Sequence, residues 1–348
     1  MVQTAAHSGW PRWWLRRSLL SWSLWPLSLL FAAFSALRRQ LYRSGVLAAG
    51  RVDVPVIVVG NLTVGGAGKT PLIAALTNGL QQEGWHPGIL SRGYGRGSAD
   101  DDPLLVHADS DPALCGDEPV LLARLTECPV MVGRRRAQAA QALRAVRPAV
   151  NVMLSDDGLQ HLALARDVEL VVVDQRLWGN GFLLPAGPLR ESPWRQRDAT
   201  LGPQAVLQQI EGGGRHFALT RTLGEITPLV GGVPLSPVQF AQRFAGQRLG
   251  ALAGIGHPAQ FFGMLQGAGL AVEGVAVGDH QALTEADLAS LPPDCPVLIT
   301  EKDAIKSAHL SPAVRERLWV VGLRLDLPAD LLPWLHHKLE IARGLTTS

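Results

Sequence analysis

Between a β-branched run, Val54 to Val59, and a segment with helical apolar spacing, Pro71 to Leu80, lies the octapeptide Thr63-Val64-Gly65-Gly66-Ala67-Gly68-Lys69-Thr70. No other stretch limits the fold so tightly. Strand, glycine-rich turn and helix in that order form a phosphate-binding loop. Its glycines let successive backbone N–H groups turn toward one phosphate, and the helix N-terminus adds a favourable dipole. Lys69 then supplies charge at the transferring phosphate of ATP, and the Thr70 hydroxyl supplies a ligand for Mg2+. Pro71 is tolerated in the first turn, where its missing N–H is not needed. The strict pattern places glycine where this chain has Thr63.

Further strand candidates, Val130 to Val132, Val150 to Leu154 and Glu169 to Val173, alternate with a helix from Arg136 to Val146. This alternation predicts an α/β fold, a P-loop NTPase-like parallel sheet with its ligands beyond the C-terminal strand edge. A second alternation follows: Leu249 to Ala253, Ala259 to Gln266, Val272 to Val277, Glu285 to Leu291, Val297 to Ile299 and Leu318 to Leu323. It predicts a second, smaller α/β domain. Leu331, Leu335 and Leu339 lie on one face of a closing helix, Leu331 to Ile341. The segments read as an N-terminal anchor (1–45), a nucleotide-binding domain (46–200), a Gly-, Pro- and Gln-rich linker (201–237) and the smaller domain (238–348).

The opening segment has its own chemistry. Ser18 to Leu37 carries no charge, Arg12, Arg16 and Arg17 precede it, and Arg38, Arg39 and Arg43 follow. Five of the ten tryptophans fall here, Trp10, Trp13, Trp14, Trp22 and Trp25. Indole rings and arginines at the ends of an apolar run suit a membrane interface, and the run barely reaches the roughly 20 residues of a spanning helix. A secretory signal and an ordinary buried helix are the competing readings, and a nucleotide motif soon afterwards argues against export. A net charge of +2 over 348 residues gives no support for nucleic-acid binding. Cys115, Cys128 and Cys295 form neither a disulfide framework nor a zinc pattern.

Phosphoryl transfer to an alcohol needs a metal ion and a base, and strand-end carboxylates are the candidates. Asp156 and Asp157 follow Val152-Met153-Leu154 and resemble a Walker-B arrangement, since adjacent carboxylates repel unless a cation offsets them. Asp174 ends a similar run and reads equally as a turn former. Asp117 and Glu118 in Gly116-Asp117-Glu118-Pro119 form a second acidic pair, which a helix N-terminus alone would favour. Arg92 and Arg96 in Ser91-Arg92-Gly93-Tyr94-Gly95-Arg96 suit an anionic ligand.

Taken with Asn61-Leu62-Thr63 and the loop, these motifs resemble the tetraacyldisaccharide 4'-kinase family of lipid A biosynthesis. Ser155-Asp156-Asp157-Gly158-Leu159-Gln160-His161, Gly179-Asn180-Gly181 with Leu184 through Glu191, Gly254-Ile255-Gly256-His257-Pro258, Asp279-His280 and Thr300-Glu301-Lys302-Asp303-Ala304 continue the likeness. Ala67 and Gly278 depart from the family's usual residues. The resemblance implies ATP and Mg2+ as cofactors, and an inner-membrane enzyme facing the cytosol that phosphorylates the 4'-hydroxyl of a lipid-linked disaccharide. It implies no obligate protein partner. It implies Asp117 as base, coupled to His280 between the domains, with Lys69 at the phosphate, Glu118 beside the Asp156-Asp157 pair at Mg2+, and Arg92, Tyr94, Arg96, Arg190 and Glu191 at the substrate. The rival classes are a membrane-associated nucleotide switch and a soluble small-molecule kinase. Thr300-Glu301-Lys302-Asp303 lacks the spacing of a guanine reader.

Overall fold

The computed structural model describes residues 10–93, 102–278 and 281–344. Tyr94, Arg96, Asp279 and His280 lie outside the described residues. The chain forms two compact units, one of Trp10–Thr220 with the segment from Asp326 onward, the other of Arg221–Leu325.

The larger unit is built on an eight-stranded sheet of β1 (Val56–Gly60), β2 (Pro87–Ser91), β3 (Leu104–Val106), β4 (Val130–Val132), β5 (Val152–Asp156), β6 (Val168–Val172), β7 (Ala199–Gly202) and β8 (Arg215–Ala218), in the order β3-β4-β2-β5-β1-β6-β7-β8. Only the edge pair β3–β4 is antiparallel. Every residue of β1 is buried, as a strand covered by helices on both faces requires, so its sequence is a continuous apolar run without alternation. The helices introduced by the first part of the chain are α1 (Arg12–Leu15), α2 (Leu19–Arg43), α3 (Lys69–Gln82), α4 (Pro112–Cys115), α5 (Asp117–Thr126) and α6 (Arg136–Val146). α3 directs Leu72, Ile73, Leu76 and Leu80 inward, and Ala139, Ala140 and Leu143 of α6 do the same.

α2 is inside out for a helix in water. Its N-terminus is capped reciprocally by Ser18 and Ser21, and the helix runs on through Pro26. Its buried residues are Ser21 and Ser28, seven apart on one face, whereas Leu19 is 91% and Leu30 68% exposed. The serines make specific contacts: Ser28 Oγ donates to Leu183 O at 2.7 Å and accepts from Ala186 N at 3.1 Å. An ordinary buried helix would show the opposite distribution.

The smaller unit holds a five-stranded sheet of β9 (Thr220–Pro228), β10 (Leu249–Ala253), β11 (Val272–Ala276), β12 (Val297–Thr300) and β13 (Leu318–Asp326), in the order β11-β10-β12-β13-β9. Phe240, Phe261, Phe262, Leu265 and Trp319 fill one side of it, and Leu283, Leu288, Leu291 and Leu310 the other. Two sequence motifs meet inside. Asp303 is fully buried, accepts Gly254 N at 3.1 Å and 3.2 Å, and accepts the Thr300 hydroxyl at 2.6 Å. Asp303→Ala should strand those buried donors and destabilise the chain by about 1–3 kcal/mol. A melting midpoint unchanged from the parent chain would show that the clamp contributes nothing.

The segment 201–237, read from sequence as a linker, carries the ends of β7, all of β8 and all of β9. The closing helix Leu331–Ala342 buries the predicted Leu331, Leu335 and Leu339 but belongs to the larger unit. There, Trp85 Nε1 donates to His336 Nδ1 at 3.0 Å and the Trp334 ring lies 5.1 Å from Phe217.

Candidate active site

The phosphate loop leaves β1 and enters α3, with Gly68 at the helix N-cap in left-handed geometry, φ 74°. A Cβ there would be strained, so glycine sets the entry angle that aims the first turn of α3 at the loop's hollow. Thr63 stands where the strict pattern has glycine. It is buried and bridges Leu189, while Val64 N donates to Pro188 O at 2.9 Å and Arg190 N to Leu62 O at 2.7 Å. The position is therefore extended backbone paired with the Pro188–Arg190 segment, which needs no left-handed residue.

The loop is held from three sides. Asn61 Nδ2 donates to Gly65 O at 3.0 Å, Trp10 Nε1 to Val64 O at 2.9 Å, and Arg176 Nη2 to Gly66 O at 2.8 Å. Arg176 stacks over the Trp10 ring at 4.2 Å and pairs with Asp174 at 2.6 Å. Asp174 thus positions the arginine that braces the loop. Gly65 and Gly66 remain exposed between these braces, and Ala67 is buried.

Lys69 is nearly buried. Its Nζ donates to Asn61 Oδ1 at 3.0 Å and pairs with Asp157 Oδ1 at 3.3 Å. Asp157 also pairs with Arg190 Nη1 at 2.9 Å. Burial alone would raise the Asp157 pKa, but Lys69 and Arg190 outweigh it and hold the carboxyl at about 2. Asp156, at the end of β5, is affected oppositely. Burial, then the nearby Glu118 carboxylate, push it up to about 7 against the pull of Lys69 and Arg136. Its Oδ1 is buried with no hydrogen-bond partner among the described residues.

Asp117 and Glu118 open α5, where Gly116 has φ 93° and Asp117 Oδ1 accepts Glu118 N at 3.0 Å. Asp117 is buried. Glu118 is close enough to Asp156 to raise its pKa, so the two acidic motifs predicted from sequence converge beside Lys69. Arg92, exposed at the end of β2, lies in the same field and, after burial and Arg136, helps push His161 down to about 4. Glu191 is committed elsewhere. Its buried carboxylate accepts from Arg39 at 2.8 Å, Gln160 at 2.9 Å and Arg195 at 2.9 Å and 3.0 Å.

Sequence reasoning missed Arg136. It is almost fully buried, donates to Gly133 O at 2.5 Å and Asp156 O at 3.1 Å, and has its pKa pulled down to about 10 by burial. It ties the C-terminal ends of β4 and β5 together behind the carboxylates. In Arg134-Arg135-Arg136 nothing marks one arginine as buried, because a basic run usually reads as a solvated surface.

Among the described residues no cluster of three or more His, Cys, Asp or Glu forms a metal cage. An ion here would complete its shell with phosphate oxygens and water, the usual habit of Mg2+. The Thr70 hydroxyl, Glu118 and the unpartnered Asp156 oxygen fit such an ion, which would offset the mutual repulsion of the two carboxylates.

Comparison with known proteins agrees with this arrangement. The family model for tetraacyldisaccharide-1-P 4'-kinase matches residues 20–340. The tetraacyldisaccharide 4'-kinase of Polynucleobacter asymbioticus is 42% identical over 350 residues, covering 95% of each chain. That of Herminiimonas arsenicoxydans is 46% identical over 340 residues, covering 94% of each. The solved structure of LpxK from Aquifex aeolicus in complex with ATP superposes with a TM-score of 0.73 at 28% identity, covering 92% of this chain and 100% of that one. With a phosphate loop, converging strand-end carboxylates and matches over nearly its whole length, this chain belongs to the tetraacyldisaccharide 4'-kinase family.

Proposed function

We propose that Lys69, Asp117 and the carboxylates around them carry out the family's reaction, transfer of the γ-phosphate of ATP to the 4'-hydroxyl of tetraacyldisaccharide 1-phosphate. The sugar oxygen forms the new bond to the γ-phosphorus, the bond from that phosphorus to the β,γ-bridging oxygen breaks, and ADP leaves. The alcohol proton passes to Asp117. Little covalent work falls to the protein, so positioning and charge carry the rate. The observation that carries the reading is Lys69, held between Asn61 and Asp157 at the entrance to α3 and facing the carboxylates at the strand ends. The loop amides receive the ATP phosphates. His280 is assigned a part in the proton transfer on its motif alone, and Arg92, Tyr94, Arg96 and Arg190 are assigned to the substrate.

Mg2+, held by Thr70, Glu118 and Asp156 or Asp157, supplies charge neutralisation on the phosphates when bound. Asp156 and Asp157 each hold a buried Oδ1 without a hydrogen bond, but Asp157 is already paired with two cations, so Asp156 is the better-placed ligand. Asp156→Asn should raise the Mg2+ concentration for half-maximal rate by about 10–100-fold, the scale of losing a metal-site contact. Superimposable magnesium titrations would remove Asp156 from the site.

The same reading places the enzyme on the cytosolic face of the inner membrane, with α2 lying in the interface. Support comes from its exposed leucines and from its polar contacts along one side. Ser21 meets Asn180 at 3.4 Å, and Arg38 donates to Gln160 O at 3.3 Å. The helix between these points is about 25 Å long. A spanning orientation would carry those protein groups into hydrocarbon, where unsatisfied polar atoms are costly. Lying flat, α2 meets a substrate whose acyl chains stay in the leaflet.

The test is transfer of labelled γ-phosphate to an acceptor panel in detergent. The label should appear at the 4' position of the lipid disaccharide. Release of inorganic phosphate at one rate with or without acceptor would favour the nucleotide switch instead.

A further inference from the structure

We propose that a basic cleft at the sheet edge opposite the phosphate loop binds the phosphate headgroup of an anionic glycerophospholipid from the leaflet in which α2 lies. The inference rests on the interfacial reading of α2 and assigns a site that the reaction itself does not use.

The cleft has a volume of about 1000 Å3, and its walls come from separate parts of the larger unit. Arg39 and Arg43 stand on the last turns of α2, Arg51 precedes β1, Arg166 precedes β6, and Arg195 precedes β7. β1, β6 and β7 are parallel, so residues that precede them gather at the edge away from the loop that follows β1. A bridge between Gly50 and Leu164 fixes two of these segments side by side. The ATP phosphates and this cleft therefore occupy opposite ends of the same strands.

Five arginines line the cleft, with Glu169 as the sole carboxylate among its walls. Three of the five are fixed. Arg39 and Arg195 grip Glu191, and Arg195 and Arg166 grip Glu169. The other two are available. Arg51 is 65% exposed and only loosely paired with Asp167 at 3.4 Å, and Arg43 is exposed with no ion pair among the described residues. The buried Glu191 and the partly buried Glu169 thus hold a rigid basic floor, while two solvated guanidinium groups stand at the mouth. This suits a phosphate diester, which guanidinium groups bind through paired N–H donors.

The surroundings select a lipid over a free phosphate. Ala36 lines the cleft beside Leu37, which ends the exposed apolar face of α2. Trp194, 77% exposed, forms part of the wall, and an indole in that position belongs at headgroup depth. A lipid phosphate can enter the cleft while its acyl chains remain beside α2.

The experiment is native mass spectrometry of the full chain from a neutral detergent carrying phosphatidylglycerol and phosphatidylcholine in equal amounts. One phosphatidylglycerol should be retained in preference to phosphatidylcholine. Each arginine near an anionic lipid contributes roughly fivefold, so Arg43→Gln should weaken retention about fivefold and Arg43→Gln with Arg51→Gln about 25-fold. Phosphotransfer by both variants in neutral detergent should stay at the parent rate, which reports an intact fold, and Arg43 has no ion pair among the described residues whose loss could disturb it. Arg12→Gln with Arg16→Gln, at the other end of α2, should keep the lipid. Equal loss in that control would show diffuse charge and overturn the site, as would retention of phosphatidylcholine equally well. Retention of the lipid disaccharide but not of phosphatidylglycerol would assign the cleft to the acceptor's own phosphate and overturn the proposal. Sedimentation with pure phosphatidylcholine vesicles tests the interfacial reading separately, because the apolar face of α2 suffices for that binding.

Discussion

Lys69→Ala is expected to lower kcat by about 10²–10³-fold, the scale of removing one preorganised charge from a developing transition state. The side chain is nearly buried, and its amino group is held by polar partners, Asn61 Oδ1 and Asp157. Losing it leaves Asp157 still paired with Arg190 at 2.9 Å, so that charge stays offset, and the main cost is the donor lost to the buried Asn61 Oδ1, about 1–3 kcal/mol. The fold should therefore survive with a melting midpoint within a few degrees of the parent. A large loss of kcat with so small a melting shift is the pattern expected of a group that acts on phosphate. Lys69→Arg should not rescue it, because a planar fork does not replace a compact ammonium held between Asn61 and Asp157. Parent-like turnover in Lys69→Ala would end the phosphate-loop assignment.

How far the sequence could be read depended on what each residue faces. β1, β5 and β6 are buried on both faces, so their apolar runs announce them. β2 was invisible because it begins Pro87-Gly88. Gly88 has no side chain because a Cβ there would come within 2.8 Å of Leu143, which α6 lays across the strand. A strand whose glycine answers to a neighbouring helix carries no signal in its own periodicity. β8 and β9 hid for a related reason, since Gly212-Gly213-Gly214 just before them reads as a linker. Those glycines close a turn instead: Gly213 O accepts the Thr200 hydroxyl at 2.7 Å, which ties the turn to β7.

The site divides in the same way. Lys69, Asp117, Glu118, Asp156 and Asp157 were legible because the proposed phosphoryl transfer calls for such groups at strand ends and helix starts. Arg136, Arg176 and Asn61 were not singled out for their roles, since they act on backbone carbonyls or on other side chains of the site. Glu191 shows the limit of a motif. Its neighbour Arg190 reaches Asp157, but Glu191 turns away to fasten α2 through Arg39. One short segment thus sends one residue to the strand-end carboxylates and the next to α2, a division that the sequence alone does not reveal.

Asp117→Asn is expected to lower kcat by about 10²–10⁴-fold, the range of a positioned general base. The substitution keeps size and can keep the bond to Glu118 N, since an amide oxygen accepts as a carboxylate does. Affinity for ATP should therefore hold, because the loop amides and Lys69 are untouched, and equilibrium nucleotide binding checks this directly. What the variant loses is the ability to take the sugar proton. Deprived of an internal base, the alcohol must yield its proton to hydroxide, so the residual rate should climb about tenfold per pH unit across the neutral range. In the parent enzyme the proposed proton acceptor is Asp117 rather than hydroxide, so its profile should lack that tenfold-per-unit slope. A purely structural role for Asp117 predicts a different pattern: both profiles would keep one shape, and the loss would appear in stability or in nucleotide affinity. Parallel pH profiles for the two enzymes would therefore exclude Asp117 as the base, however large the drop in rate.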